Sequence, residues 1–299
     1  MRELLEAHRD DLALVIGNGI NRFDAPPGAN SWEALLSTLA RTCIDPAHDV
    51  LPAGVSPTEF YDIVDLAAAR DASDNLQAQF CRLMAGWKAL PQHGRVMAWA
   101  KHWSVPVLTT NFESTLADSC GATLRRCGTD RFTAFYPWST CFAPDEVDDP
   151  MKSFAIWHIN GQHRYRQSIR LGLGHYMGSV ERARGWIQTS GSRLYKGANI
   201  AGWPGARSWL QPFLHKPLLF MGLALEQNEV FLRWLLIERA RYFSRFPSRR
   251  RGGWYIHPGL AGSIDAGKAF FLRGVGIEPY PVRDYAQIYG ADTWRLGPR

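Results

Sequence analysis

The chain has 299 residues, 46% of them hydrophobic, and a formal net charge of +6. This length and composition can bury a substantial core, which excludes a disordered protein, and no window is apolar for long enough to span a bilayer. The first residues lack the apolar run and small-residue cleavage site of a signal peptide, so we expect a cytoplasmic protein without a membrane segment.

The first predicted strand is the apolar run at 12–16 (LALVI), which ends at a pair of glycines. Such a run is typical of a strand that is buried on both faces in a parallel sheet. A loop rich in Pro, Gly and Asn follows, and residues 31–40 then show helical spacing with Ser31 as the predicted N-cap. Residues 57–99 have helical character and no strand-like run, so we predict a helical insertion there.

The later part of the chain alternates further strands with helices. Strands are predicted at 105–110, 154–159, 217–222, 254–257 and 277–282. Residues 230–237 are apolar all round, as in a packed helix. Strands separated by helices indicate an α/β fold with a Rossmann-like parallel sheet flanked by helices. We therefore expect a single domain over 1–299 that carries the insertion at 57–99.

Cysteine spacing and basic runs limit the possible sites. The sequence holds five cysteines, which are far apart and never form a Cys-x-x-Cys pair: Cys43, Cys81, Cys120, Cys127 and Cys141. This spacing argues against a disulfide framework and a zinc ribbon, and we expect no metal site. The densest basic run, at 245–251, could contact nucleic acid, but such runs are more often solvated loops, and nucleic-acid contact is not favoured.

Residues suited to binding and catalysis follow the predicted strands, where a parallel sheet places its ligands. These residues are Gly17, Asn18, Gly19, Ile20 and Asn21, then Thr110, Asn111 and Glu113, then His158, Asn160 and Gly161, and finally Gly222 and Leu223. A glycine turn lets backbone N–H groups approach a pyrophosphate, and the start of the next helix adds a favourable dipole. Gly-x-Gly also occurs in turns without a ligand. The full dehydrogenase fingerprint is absent, because Phe23 stands where its third glycine would be.

Taken in order, these segments resemble the sirtuin-like family, and more closely its bacterial branch that consumes NAD in defence against phage. The resemblance covers most of the chain. The matching motifs are GNGIN at 17–21, WEALL at 32–36, TNFE at 110–113, NG at 160–161, HY at 175–176 and GLAL at 222–225. Protein-deacylating sirtuins usually carry a four-cysteine zinc module. This chain has none, which makes protein deacylation a less favoured alternative.

The resemblance implies a NAD+ glycohydrolase that releases nicotinamide and ADP-ribose. Cleavage passes through a cationic, oxocarbenium-like transition state, which requires a dry pocket, hydrogen bonds to ribose and a group that orients water. Asn111 matches the family's catalytic Asn, with Thr110 and Glu113 nearby as ribose or water contacts. The glycine turn, Gly161, Gly222 and Leu223 would bind NAD+. A second interpretation of Asn111 is the N-cap of a helix that begins at Phe112.

Position 160 departs from the family pattern, because Asn stands where His usually precedes the glycine. Asparagine cannot accept a proton at neutral pH. Three interpretations stay open: the chain has lost activity, a neighbouring histidine takes over, or the sequence carries an inactivating His-to-Asn change. On an extended strand His158 would point to the same face as Asn160, and His163 is a further candidate. A lone histidine near a strand end is more often structural.

The resemblance also implies partners. Because NAD+ depletion must be restrained, we expect a homo-oligomer and a separately encoded activator or sensor, such as a HerA-type ATPase or an Argonaute-type protein. The competing hypothesis is a catalytically silent scaffold that binds NAD or ADP-ribose and assembles with such a partner. Asn160 favours this competing hypothesis.

Overall fold

The computed structural model describes residues 1–44, 51–68, 76–127, 138–189, 194–196, 202–227, 229–260 and 262–297. Within these ranges the chain forms one eight-stranded sheet. The strands are β1 (Ala13–Ile16), β2 (Val107–Thr109), β3 (Thr123–Arg126), β4 (Thr140–Ala143), β5 (Ile156–His158), β6 (Leu218–Met221), β7 (Gly253–Pro258) and β8 (Glu278–Val282). The helices are α1 (Arg2–His8), α2 (Gly19–Arg22), α3 (Trp32–Cys43), α4 (Pro57–Ala68), α5 (Leu76–Met84), α6 (Pro91–His102), α7 (Thr115–Ser119), α8 (Leu173–Arg184), α9 (Leu210–His215), α10 (Val230–Arg245), α11 (Ala266–Gly274) and α12 (Ala286–Tyr289).

The sheet has the order β3-β4-β5-β2-β1-β6-β7-β8. The six neighbouring strands β5-β2-β1-β6-β7-β8 are parallel. The chain first adds β2 and β5 on one side of β1 and later adds β6, β7 and β8 on its other side. The strand order therefore reverses between β1 and β6. This confirms the prediction of an α/β Rossmann-like fold, and all six predicted strands are present. The antiparallel strands β3, at the sheet edge, and β4, between β3 and β5, were not predicted. The β3 sequence, Thr-Leu-Arg-Arg, is partly exposed and lacks an apolar run such as that of β1.

Both faces of the sheet are covered by helices. In β1, Ala13 and Val15 pack into one core with residues of α8 to α11, whereas Leu14 and Ile16 pack into a second core with residues of α1, α6, α7 and α12. All four side chains are fully buried, which explains why this strand is continuously apolar rather than alternating. No helix within the described ranges is long and apolar enough to cross a membrane.

A third core belongs to a helical unit beside the sheet. It joins α3, α4 and α5 through residues such as Leu36, Phe60 and Phe80, and Phe112 of the β2 loop packs into it. Ser31 caps α3 as predicted, accepting a hydrogen bond from Ala34 N. The residues 57–99 therefore contribute to two cores. Helices α4 and α5 belong to the third core, whereas α6 packs against the sheet in the second core.

The basic run at 245–251 follows α10 and is engaged within the chain. The guanidinium of Arg249 lies 4.8 Å from the ring centre of Phe246 and donates to Tyr242 Oη at 2.9 Å. Arg251 lies 3.9 Å from a carboxylate oxygen of Asp11. Such contacts give the arginines a packing role at this end of the molecule.

Candidate functional site

A cavity of about 470 Å³ lies at the carboxyl ends of the parallel strands, where the strand order reverses between β1 and β6. One wall is formed by residues at or after the strand ends: Asn18, Gly19, Thr110, Phe112, Asn160, Gly222, Leu223, His257 and Pro258. The opposite wall comes from the helical unit, through Trp32, Glu33 and Leu36 of α3 and Pro57 and Thr58 of α4. Ligands of open α/β sheets bind at this reversal of strand order, so the geometry favours a ligand site.

The turns that follow β1 and β6 pack against each other through glycines. Gly17 N donates to Met221 O at 3.0 Å, and Gly19 N donates to Gly222 O at 2.8 Å. A Cβ on Gly17 would lie 2.5 Å from Gly222 O, and Gly222 has a φ of +66°. The glycines are therefore required by the contact between the two turns. We had expected N–H groups of this turn to approach a pyrophosphate, but those of Gly17 and Gly19 are already donated to β6 and its turn.

Behind the glycine turn, Asn21 joins three elements through buried hydrogen bonds. Asn21 Nδ2 donates to Glu113 Oε1 at 2.8 Å, and Thr115 Oγ1 donates to the same oxygen at 3.0 Å. His93 of α6 accepts from Leu90 N at Nδ1, so its Nε2 carries the proton and donates to Asn21 Oδ1 at 2.8 Å. Burial raises the pKa of Glu113, and hydrogen bonds from Asn21, Thr115 and Asn111 oppose this shift. Glu113 thus ties the turn to the β2 loop from behind the cavity wall.

Asn111 and His158 are buried together at the ends of β2 and β5. His158 Nδ1 donates to Asn111 O at 2.7 Å. Because a carbonyl oxygen only accepts, the proton lies on Nδ1 and Nε2 carries the lone pair. Three buried acceptors at this point, Asn111 Oδ1, Glu113 Oε2 and His158 Nε2, have no hydrogen-bond partner among the described residues. Buried polar atoms are normally paired, so these acceptors favour the approach of a hydrogen-bond donor.

Burial of His158 should make the folded state less stable at acidic pH. Burial lowers the pKa of His158 from 6.5 to about 4. The unfolded chain therefore binds more protons than the native state between these values, and the stability that neutral His158 contributes at pH 7 is lost as the pH falls. We expect wild type to lose about 2 kcal/mol more than His158→Asn between pH 7 and pH 5. Urea unfolding at both pH values measures this difference, and parallel pH dependences of the two proteins would contradict it.

The chain turns directly after β5, and this turn separates Asn160 from His158. Gly161 N donates to His158 O at 3.2 Å, which closes the turn. Asn160 lines the cavity, its side chain makes no hydrogen bond with the described residues, and the residue is 7% exposed. His158 stays beneath it. The expectation of a shared face does not hold, since it assumed an extended chain through residue 160. His163 is held elsewhere, with Nδ1 3.1 Å from Phe112 O.

The predicted site residues divide into those on the cavity wall and those behind it. Six line the cavity: Asn18, Gly19, Thr110, Asn160, Gly222 and Leu223. Seven lie outside its lining: Gly17, Ile20, Asn21, Asn111, Glu113, His158 and Gly161. Of these seven, Asn111 is flanked in sequence by two lining residues, and its side chain is fully buried. The residues expected to perform catalysis therefore form the layer beneath the wall, with Asn160 alone reaching the cavity.

Several lining residues were not predicted. Arg22, Glu226, Glu229, Tyr255, His257 and Tyr285 line the cavity. Desolvation and the nearby charge of Glu226 raise the pKa of Glu229 to about 7. Most of these residues lie at or after the ends of β6, β7 and β8, so their position after predicted strands was a signal that the sequence contained. His93 gave no such signal, because its partner Asn21 is 72 positions away.

The assignment of function has no support from a metal site among the described residues or from a similar protein of known function. Among the described residues, no group of three or more His, Cys, Asp or Glu side chains is arranged to hold a metal ion. Sequence comparison finds no family model that matches the chain and no similar curated protein. The function proposed for the chain therefore depends on the fold, the cavity and the chemistry of the residues around it.

Proposed function

We propose that this chain binds NAD+ in the cavity and hydrolyses the bond between nicotinamide and ribose. The observation that carries the proposal is the position of the cavity, which crosses the strand ends at the reversal of strand order and has Asn160 on its wall at one end, with Asn111 buried next to the lining residues Thr110 and Phe112. This is where doubly wound sheets bind dinucleotides. The motif order in the sequence adds support, since it resembles that of NAD-consuming sirtuin-like proteins.

The length of the cavity and the position of its one permanent cation among the described lining residues suit an extended dinucleotide. Its wall spans the ends of the five neighbouring strands β5, β2, β1, β6 and β7. The distance from β5 to β7 is four inter-strand spacings, or about 19 Å. Asn160 would face the nicotinamide ribose at the β2–β5 end, with Asn111 beneath the wall there. Among the described lining residues, Arg22 is the one permanent cation, and it lies beside the glycine turn where the pyrophosphate would pass. The adenosine would then lie at the β6–β7 end.

The proposed reaction needs little acid or base assistance. The bond between ribose C1′ and the nicotinamide nitrogen breaks, and its electron pair leaves with neutral nicotinamide, so the leaving group requires no proton. Water then bonds to C1′ and releases a proton. Asn111 Oδ1, which has no partner among the described residues, would accept a hydrogen bond from this water. His158 Nε2 can accept a proton only weakly, because burial lowers its pKa to about 4.

Exclusion of bulk water would favour this chemistry. Phe112 follows Asn111 directly and packs edge-on against Trp32 at 4.5 Å between ring centres. Both rings line the cavity, so an apolar contact between the β2 loop and the helical unit borders the reacting end. Electrostatic stabilisation of a cationic transition state is stronger in such a dry environment.

Turnover of NAD+ by the purified chain tests the proposal. Nicotinamide release is measured by chromatography, and NAD+ binding is measured by calorimetry. We expect Asn160→His to raise turnover about tenfold, because a base at the cavity wall accelerates the attack of water. The expected gain is smaller than for a full general base, since the cationic intermediate is already reactive. Equal turnover of both proteins would show that position 160 does not limit the reaction.

A second candidate is a silent scaffold that binds NAD or ADP-ribose. It is favoured by one observation: the polar residue that reaches the reacting end is Asn160, while His158 lies beneath the wall. The scaffold predicts NAD+ binding with no nicotinamide release, with or without a partner protein and also in Asn160→His. Absence of NAD+ binding would contradict both candidates.

We propose further, from the motif order alone, that the chain acts as a NAD+-depleting effector in anti-phage defence. In this role it would form a homo-oligomer and respond to a separate sensor such as a HerA-type ATPase or an Argonaute-type protein. Analytical ultracentrifugation tests self-association. A monomer at all accessible concentrations would contradict the proposed homo-oligomer.

A further inference from the structure

We infer that Glu226 and Glu229 make the cavity selective for NAD+ over NADP+, by accepting a hydrogen bond from the adenosine 2′-hydroxyl and repelling a 2′-phosphate at the same place. The inference rests on the proposed function, because it takes the cavity to be a dinucleotide site. It adds the class of nucleotide that the site accepts.

The direction of the ligand along the sheet decides which part of it would lie near the two carboxylates. If the nicotinamide ribose lies at the β2–β5 end, the adenosine ribose lies on the other side of β1, near β6 and β7. Glu226 and Glu229 line the cavity on that side, in the segment between β6 and α10. They stand closer to the adenosine half of the ligand than to the bond that breaks.

Backbone and side-chain contacts hold both acids in this segment. Glu229 N donates to Glu226 O at 3.0 Å, and Arg233 N of α10 donates to Glu229 O at 3.0 Å. Lys268 Nζ lies 2.5 Å from Glu226 Oε1, and this ion pair orients the Glu226 side chain. A carboxylate held at the end of a strand is the group that pairs with a ribose 2′-hydroxyl in NAD-binding sheets.

The neighbouring cations are engaged by other groups of the chain. Lys268 is engaged with Glu226, and its side chain is 17% exposed. Arg233 Nη1 donates to Leu225 O at 3.1 Å, and its guanidinium lies 3.6 Å from the ring centre of Phe271. Neither cation lines the cavity. A 2′-phosphate at this end would therefore meet carboxylates first, without an arginine placed to accept it.

The charge balance of the whole cavity agrees with this selectivity. Among the described lining residues there are three carboxylates, Glu33, Glu226 and Glu229, and one permanent cation, Arg22. Arg22 lies at the glycine turn, where it would be occupied by the pyrophosphate. Burial raises the pKa of Glu229 to about 7, and the nearby charge of Glu226 adds to this shift.

Nucleotide affinities at pH 8, where Glu229 is ionised, test the inference. Calorimetry measures the Kd of NAD+ and of NADP+ for wild type, Glu226→Gln, Glu229→Gln and the double variant. We expect wild type to bind NADP+ at least about tenfold more weakly than NAD+. The double variant should narrow this ratio to about threefold or less, mainly by gaining affinity for NADP+. Glu181→Gln, an exposed site on α8 outside the cavity, should keep the wild-type ratio.

The outcomes separate this inference from the proposed function. Equal affinities of wild type for both nucleotides would overturn the inference while leaving NAD+ binding in place. An unchanged ratio in a double variant that still binds NAD+ would also overturn it, because binding of NAD+ shows that the variant is folded. If wild type binds neither nucleotide, the proposed function itself fails, and the selectivity fails with it.

Discussion

Gly161→Ala is expected to destabilise the fold by about 4 kcal/mol or more. Gly161 has a φ of +94°, a backbone conformation that residues with a Cβ rarely adopt. An added Cβ would overlap the backbone carbonyl of Ser168, which is fully buried and cannot move aside as a flexible side chain would. The loss combines backbone strain with a steric clash, and urea unfolding of both proteins measures it.

Gly161→Ala should disturb the cavity wall as well as the turn after β5. Ser168 Oγ accepts from Gln162 N at 2.9 Å, and Arg170 N donates to Asn160 O at 2.9 Å, so this loop positions Asn160 on the cavity wall. The matched control is Gly178→Ala. Gly178 is exposed in α8 with no atom within 4 Å of an added Cβ, and alanine there should stabilise the helix by about 0.5–1 kcal/mol. A Gly161→Ala protein as stable as wild type would show that the loop does not require glycine.

Asn111→Ala is expected to lower NAD+ turnover by about 100-fold to 1000-fold while changing NAD+ affinity by less than about threefold. Asn111 lies beneath the cavity wall, so it contributes little contact area to the bound nucleotide. Its unpaired Oδ1 is the acceptor that would orient the attacking water. Its loss should therefore reduce kcat far more than it weakens binding. Steady-state nicotinamide release together with calorimetry separates the two effects.

Gln167→Ala provides the control for Asn111→Ala. Gln167 is an exposed amide in the loop after Gly161, and it does not line the cavity. Its removal should leave both turnover and affinity at the wild-type values. An equal loss of affinity and turnover in Asn111→Ala would indicate that Asn111 supports the structure of the β2 loop, as its contact with Gly17 O at 3.5 Å would allow. A wild-type rate in Asn111→Ala would remove it from the mechanism.

The parallel sheet could be predicted from the sequence because its signals are local. The strands β1, β2, β5 and β6 are buried along their whole length, and burial on both faces produces short, mainly apolar runs. The alternation of strands and helices also indicates a parallel sheet, which places the candidate residues at the carboxyl ends of the strands. The edge strand β3 escaped prediction, because a partly exposed strand shows neither a continuous apolar run nor clear alternation.

The sequence by itself thus determined the Rossmann-like sheet, the glycine turn and the strand ends where a ligand would bind, since these depend on local pattern and on the geometry common to all parallel sheets. Only the tertiary structure decided which side chains reach the cavity. One turn after β5 sends Asn160 to the wall and leaves His158 below it, and packing against β6 uses the N–H groups of Gly17 and Gly19. The acids Glu226 and Glu229 join the same cavity because β6 lies beside β1, although they are about 200 residues from the glycine turn along the chain. Contacts at that separation follow from chain topology, which no local sequence pattern contains.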